Sequence, residues 1–306
     1  MNAIGLDTSN YTTSIACFNG KDGINCSSLL PVKAGQLGLR QSDAVFAHTK
    51  SLPELSGRLF SNACSQDIGV IGVSTRPRAI EGSYMPCFMV GYSHAKLLSD
   101  SLQVPLVEVS HQQGHVAASL WSAGRMDLLD KPHLAWHLSG GTTELLLVEP
   151  DNKNVQCTRI GGTTDISAGQ LIDRTGQLLE LPFPSGKHLD SLSKESTNAQ
   201  FFRVKCNELS FSLSGVENKV QQYAQQNTPA NTAAYALATI AQTVLTVSKR
   251  ALEKYPGYEI VFSGGVASNS MLREVLAPLN PVFSQPQYST DNAMGVAVLA
   301  HRYMEV

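Results

Sequence analysis

Charge is scarce in this chain. Asp, Glu, Lys and Arg make up 16% of 306 residues, and the formal net charge is −2. That excludes a broadly basic nucleic-acid-binding surface, so any contact with a polynucleotide needs a local patch or a helper protein. Long apolar runs are missing too: none approaches the roughly 18 residues that a membrane span requires. The opening MNAIGLDTSN lacks the basic and apolar regions of a secretory signal, so cytoplasm is the expected compartment. The six cysteines (Cys17, Cys26, Cys64, Cys87, Cys157 and Cys206) contain no CxxC pair. Scattered in this way they read as buried thiols in a reducing compartment, not as a disulfide framework or zinc ribbon. What is present is an ordinary core complement, 42% hydrophobic residues, in a chain long enough for two domains.

The pattern of elements occurs twice. NAIGLDT, TSIACFN and INCSSLL read as three strands, with SNYT and NG/KDG turns between them. AVFAHTKSLPELSGRLFSNACSQ reads as one or two helices interrupted near Pro53, IGVIGVSTRP as a buried strand, MVGYSHAKLLSDSL as a helix, and VPLVEVS as a strand that delivers the chain to His111. HLAWHLS and ELLLVEP then form a new hairpin, with VQCTRIGG as its third strand. DISAGQLIDRTGQLLEL reads as a helix capped by Thr164 or Asp165, and AAYALATIAQTVLTVSKRALEKY as a long amphipathic one. EIVFSGG is a strand followed by the helix SNSMLREVLAPL, and TDNAMGVAVLAHRYM is a last helix starting at Thr290 or Asp291. The duplication implies two similar α/β domains around a central cleft, here divided as 1–105 and 106–291. A helical insertion is expected around 185–230, with the C-terminal helix 292–306 packed back on the first domain.

Three stretches carry chemistry. SHQQGH sets His111 and His115 four residues apart, on one face of a helix, which suits either a metal or two surface histidines. Gln112 stands where a zincin would need its glutamate base, so hydrolysis of that type has no support. The turns SGGTT (139–143) and FSGGVASN (262–269) place glycines where a backbone can approach an anion or a nucleotide. Each alone is also an ordinary turn; their matching positions in a duplicated chain favour nucleotide binding. Asp7 ends the first strand, and Asp173 lies two turns beyond Asp165 on a helix of small and apolar residues.

Taken in order, the motifs resemble the TsaD family, the tRNA threonylcarbamoyladenosine transferases of the actin-like ATPase (ASKHA, RNase H-like) fold. The likeness runs through nearly the whole chain. SHQQGH is similar to the family's metal-histidine motif, LSGGTTEL to SGGHTQL, TTDISAGQLIDR to SIDDAAGEAFDK, FPSG to YPGG, LSFSLSG to FSFSG, SGGVASN to GGVAAN, and YSTDNAM to CTDNAAM. The resemblance implies a divalent metal, iron or zinc, on His111, His115 and Asp291. It implies an adenine nucleotide (threonylcarbamoyl-AMP or ATP) held by Leu138, Ser139, Gly140 and Gly141, with Asp173 and Gly186 on the ribose side and Gly264, Gly265 and Asn269 at the nucleoside end. Asp7 and Asp165 would be catalytic. The implied activity moves a threonylcarbamoyl group from its adenylate to adenosine 37 of tRNA, with a second ASKHA-fold subunit and a small ATPase as partners and no membrane involvement.

The departures define the alternative. DTSNYTT stands for the family's ETSCDET, so Asp7 shortens a glutamate, and Tyr11 and Thr12 replace an acidic pair. Thr142 replaces a histidine, Ile166 an acid, Gln170 a glutamate, Arg174 a lysine, and Glu217 the lysine after FSFSG; TRPRAIEGSY lacks PGPG. These losses suit a divergent paralogue that binds metal and adenine nucleotide but acts on another acceptor. A non-catalytic partner subunit is the third reading, though a scaffold has no need of His111, His115 and Asp291.

Overall fold

The computed structural model describes residues 1–9, 11–30, 39–61, 67–198, 200–289 and 291–304. Cys64, Asn10 of the first turn, and Thr290 as a helix start lie outside the described residues. Five cysteines are free thiols; Cys17, Cys26 and Cys87 are buried, whereas Cys157 and Cys206 are only half-buried.

Strands Asn2–Asp7 (β1), Thr12–Phe18 (β2) and Gly23–Leu29 (β3) pair antiparallel. Helix Gln41–Phe60 (α1) follows, then Ile68–Arg76 (β4), Phe88–Leu102 (α2), Leu106–Ser110 (β5) and His111–Ser122 (α3). β4 joins β1, and β5 joins β4, in parallel, giving the order β3-β2-β1-β4-β5. β1 is buried from Ala3 to Asp7 without alternation, the mark of a strand covered on both faces.

The same plan recurs in His133–Leu138 (β6), Thr143–Asp151 (β7) and Asn154–Thr163 (β8). Helices Ala168–Leu178 (α4) and Gly186–Ser193 (α5), the short strands Cys206–Asn207 (β9) and Ser210–Phe211 (β10), and helices Ser214–Ala224 (α6) and Pro229–Lys254 (α7) come next. Ile260–Ser263 (β11), Ser270–Leu276 (α8), Val282–Phe283 (β12) and Met294–Arg302 (α9) complete the chain. The second sheet runs β12-β11-β6-β7-β8-β10-β9. Its members β8-β7-β6-β11-β12 repeat the first sheet's order, again with an antiparallel first pair and parallel later ones. One core gathers Ile4, Leu6, Ile15, Leu55, Leu59, Ile71 and Val73; the other gathers Trp136, Leu171, Leu189, Ile240 and Phe262.

Four expectations need correction. α1 is one continuous helix with Pro53 inside it. Proline removes one main-chain bond, but His48, Leu52, Leu55 and Leu59 form a buried stripe at helical spacing that holds both halves on one surface. The cap of α4 is Ser167, in a reciprocal capping box with Gln170, and neither Thr164 nor Asp165. α9 starts three residues beyond Asp291, where Asn292 Oδ1 accepts the Met294 N–H at 3.1 Å. The chain divides at 131/132 rather than near 105: one compact unit takes 1–131, 149–157 and 291–306, the other 132–148 and 158–290. β5 belongs to the first because it extends that unit's sheet in register with β4 and hands the chain to α3.

In the first unit α3 and α9 cross almost backbone to backbone. A Cβ on Gly295 would lie 1.8 Å from the Gly114 carbonyl oxygen, and one on Gly114 3.1 Å from Val296 Cγ2. Only glycine at 295 permits that approach. The crossing joins the histidine helix to the segment that follows Asp291.

His48, on the buried face of α1, shares a 2.8 Å hydrogen bond between Nδ1 and Thr13 Oγ1, while its Nε2 has no partner among the described residues. Burial pushes its pKa down to about 4, against a smaller upward pull from Asp7. Protonation therefore favours the unfolded chain: stability is intact above about pH 6.5, falls as pH drops below it, and levels off near pH 4. Urea unfolding of His48→Gln between pH 7.5 and 4 should show a shallower loss of stability than the parent chain; equal slopes would show that His48 does not carry this effect.

Candidate metal centre and ligand cavity

The end of β5 and the start of α3 build the histidine site. Ser110 caps α3: its Oγ accepts the Gln113 N–H at 3.2 Å, and Gln113 Oε1 accepts the Ser110 N–H at 2.7 Å. Gln113 Nε2 also donates to the Val155 carbonyl at 2.7 Å. The glutamine between the histidines is thus fully used in anchoring the helix, while His111 and His115 project one turn apart.

Three atoms converge. His115 Nε2 lies 2.9 Å from His111 Nε2 and 3.2 Å from Asp291 Oδ1, and His111 Nε2 lies 3.5 Å from the same oxygen. Such spacings are close to the roughly 3.3 Å that separates donors about 2.0–2.1 Å from one tetrahedral cation. Behind them Asp7 Oδ2 accepts the His111 Nδ1–H at 2.6 Å. Asp7 Oδ1 accepts the Ser9 N–H and the Ser74 hydroxyl, both at 2.9 Å. Asp7 is 1% exposed. With both oxygens engaged and none facing solvent, it has no open atom with which to act on a substrate.

Opposite charges decide the protonation states here. Burial opposes charging His111, but the Asp7 and Asp291 carboxylates beside it outweigh that and hold its pKa up to about 10. Burial likewise works against Asp7 and Asp291. The His111 charge and hydrogen bond keep Asp7 below the usual carboxylate range, and hydrogen bonds and charge from His111 and His115 keep Asp291 well below it.

The second unit contains a cavity of about 450 Å³ lined by Gly140, Gly169, Asp173, Gly186, Gly265 and Asn269, among others. Close backbone approaches occur at and beside it. A Cβ on Gly169 would stand 2.4 Å from Gly140 Cα, and one on Gly264, at φ 91°, 2.2 Å from the Leu138 carbonyl oxygen. The Ser167 hydroxyl donates to the Gly140 carbonyl at 2.6 Å, tying the α4 N-terminus to the glycine turn. Of the sequence-derived ligand residues, Asp173, Gly140, Gly186, Gly265 and Asn269 line the cavity, whereas Leu138, Ser139, Gly141 and Gly264 do not. Leu138 cannot offer its side chain, which is fully buried in the core. Asp173 Oδ1 already accepts the Ser185 N–H at 2.8 Å. Asn269 caps α8 through the Leu272 N–H and donates to Asp190 Oδ1 at 2.9 Å. Asp190 also lines the cavity and was missed; its one sequence signal is its place four residues after Gly186, on the same helical face.

Asp165 belongs to another structure. Its Oδ1 accepts the Leu213 and Ser214 N–H groups, and its Oδ2 the hydroxyls of Ser212 and Ser214. Those bonds, against a smaller counter-effect than their sum from burial, lower its pKa. It anchors the turn before α6, and its side chain is committed there.

The family model described as TsaD: tRNA N6-adenosine threonylcarbamoyltransferase matches residues 36–298. A protein of that name from Carboxydothermus hydrogenoformans is 32% identical over 71% of this chain and 67% of its own length. One from Phytoplasma australiense is 29% identical over 98% of this chain and 93% of its own. Among solved structures, full-length HypF in its phosphate- and nucleotide-bound form aligns with a TM-score of 0.61 at 14% identity, over 99% of this chain. The chain spans about half of that protein, 47% of its length. The fold is that of the ASKHA proteins, and the repeated strand order is in keeping with it.

Asp165→Ala should loosen the turn at 212–214 and destabilise the protein by about 1–2 kcal/mol, the scale of charge-assisted bonds at an exposed site. Amide exchange in that turn should rise in parallel; unchanged exchange would show that the hydrogen bonds do not hold it.

Proposed function

The chain belongs to the TsaD family of tRNA N6-adenosine threonylcarbamoyltransferases, and on that premise we propose that it moves a threonylcarbamoyl group from its adenylate to adenosine 37 of tRNA in a metal-dependent reaction. The observation that carries this reading is the convergence of His111, His115 and Asp291, whose ligand atoms all lie within 4.8 Å of one another. Two imidazoles and a carboxylate suit iron or zinc and leave positions open for a substrate. When bound, the cation would supply Lewis-acid polarisation of the transferred carbonyl.

The chain's own residues would do the rest. His111 and His115 present Nε2 atoms, and Asp291 a carboxylate oxygen. In the second unit, threonylcarbamoyl-AMP or ATP would lie in the cavity with its phosphate at Gly140 and the α4 N-terminus, where backbone N–H groups favour an anion. Asp173, Gly186 and Asp190 would face the ribose hydroxyls, and Gly265 and Asn269 the nucleoside. The acceptor is a single-stranded anticodon base, which can present its exocyclic amine unstacked. A second ASKHA-fold subunit and a small ATPase are the expected partners, in the cytoplasm. No helix among the described residues is long and apolar enough to cross a membrane.

A second reading has a specific observation behind it. Tyr11 is exposed and Thr12 buried at the start of β2, so neither offers a carboxylate where the family has its acidic pair. General-base help is typically worth about 10²–10⁴-fold. Loss of the pair favours a paralogue that binds metal and adenylate but transfers slowly, or to another acceptor.

One set of measurements separates the readings. The purified chain should bind zinc, lose most of it in His111→Ala, and give calorimetric heat with AMP and ATP. Supplied with helper subunit, ATPase, threonylcarbamoyl-AMP and unmodified tRNA, it should modify tRNA about 10²–10⁴-fold more slowly than a family member that retains the acidic pair. Acids restored at 11 and 12 should recover part of that rate. A full rate without them would show the pair to be dispensable; no binding of metal or nucleotide would sink both readings.

A further inference from the structure

We infer that Asp7 is a positioning residue for the metal centre: it fixes the ring of His111 with the proton on Nδ1, so that Nε2 is the atom presented beside His115 Nε2 and Asp291 Oδ1. This rests on the metal reading above. The geometry is built by three parallel strands. Asp7 ends β1, Ser74 lies on the neighbouring β4, and β5 delivers His111 one residue after its own end. The carboxylate is therefore held on one oxygen by the Ser9 N–H and the Ser74 hydroxyl, and meets the His111 Nδ1–H with the other at 2.6 Å.

Each contact constrains the next. A neutral imidazole carries one ring proton, and the nitrogen that lacks it is the ligand atom. A carboxylate has no proton to give, so the nitrogen facing Asp7 must be the N–H. The ring can then offer only Nε2, which already points at the other two ligand atoms. Carboxylates that hold ligating histidines in this way typically contribute 10–100-fold to metal affinity. The shorter side chain matters here: at 1% exposure, with both oxygens engaged, the site has no room for an added methylene without displacing Ser74 or His111. Asp7 touches neither a solvent-facing surface nor the converging ligand atoms, so it acts through His111 and not on the substrate.

The test uses the full chain and zinc ion, with affinity measured by chelator competition. Asp7→Asn should bind zinc about 10–100-fold more weakly than the parent, and Asp7→Glu should recover less than the parent affinity. In zinc-loaded protein labelled with ¹⁵N-histidine, His111 should show a protonated Nδ1 and a metal-bound Nε2, and Asp7→Asn should lose that single tautomer. Ser74→Ala, which keeps the carboxylate but frees it, should weaken binding several-fold and serves if Asp7→Asn does not fold. Parent-like affinity and an unchanged His111 tautomer in a folded Asp7→Asn, or in Ser74→Ala should the former not fold, overturn the inference. Zinc binding absent from the parent chain defeats the metal reading itself, and is distinguished by that control.

Discussion

The first unit depends on one contact, the crossing of α3 and α9 at Gly114 and Gly295. A Cβ at 295 would occupy the space of the Gly114 carbonyl oxygen, so the two backbones touch where other helix pairs keep side chains between them. Apart from the half-exposed His301, α9 is buried from Met294 to Arg302, and it also packs against β1 and β4. A helix so enclosed has little freedom to shift. Asp291 enters the first unit just ahead of it, and His111 and His115 ride on the helix it presses against. The side chains of His111, His115 and Asp291 converge beside a crossing that glycine at 295 permits.

Charge alternation then gives the site its character. Asp7, His111 and Asp291 follow one another as acid, base and acid within hydrogen-bond or ion-pair distance. In a buried setting each carboxylate is costly alone, and the imidazole between them compensates both. The same arrangement directs the ring: the buried carboxylate takes one nitrogen and leaves the other facing the half-exposed acid. Asp7 and Asp291 are chemically alike but differently placed: Asp7 is buried at the end of β1, and Asp291 is partly exposed.

The second unit forms its cavity by different means. Its cavity is lined by glycines, and at Gly169 and Gly140 backbone lies directly against backbone. Its carboxylates are partly engaged inside the unit, Asp173 with the FPSG turn and Asp190 with the α8 cap. These bonds tie part of the lining to the rest of the unit. Asp165, by contrast, has been absorbed into the architecture of the turn before α6. Asp7, Asp165, Asp173 and Asp291 each bind backbone or side-chain groups of the chain itself.

Much of this was legible in the sequence. Strand and helix order, the duplication, the histidine spacing and the two glycine turns are local patterns, set by hydrophobic period, turn chemistry and helical repeat, and neighbouring residues suffice to write them. Motif order likewise sufficed for the family and for nominating Asp291. Other features depended on partners far along the chain. Whether Pro53 breaks α1 turned on the stripe packed against the sheet; whether Asp165 capped a helix or tied down a turn turned on serines 47 and 49 positions away. Asp7 could be read as an acid but not as one buried beneath His111, because the two residues lie 104 positions apart and only paired strands bring them together. Sequence by itself determined which groups this protein carries. Tertiary structure decided which of them face one another, because burial, hydrogen-bond partners and the direction of a ring nitrogen exist only once distant strands are paired.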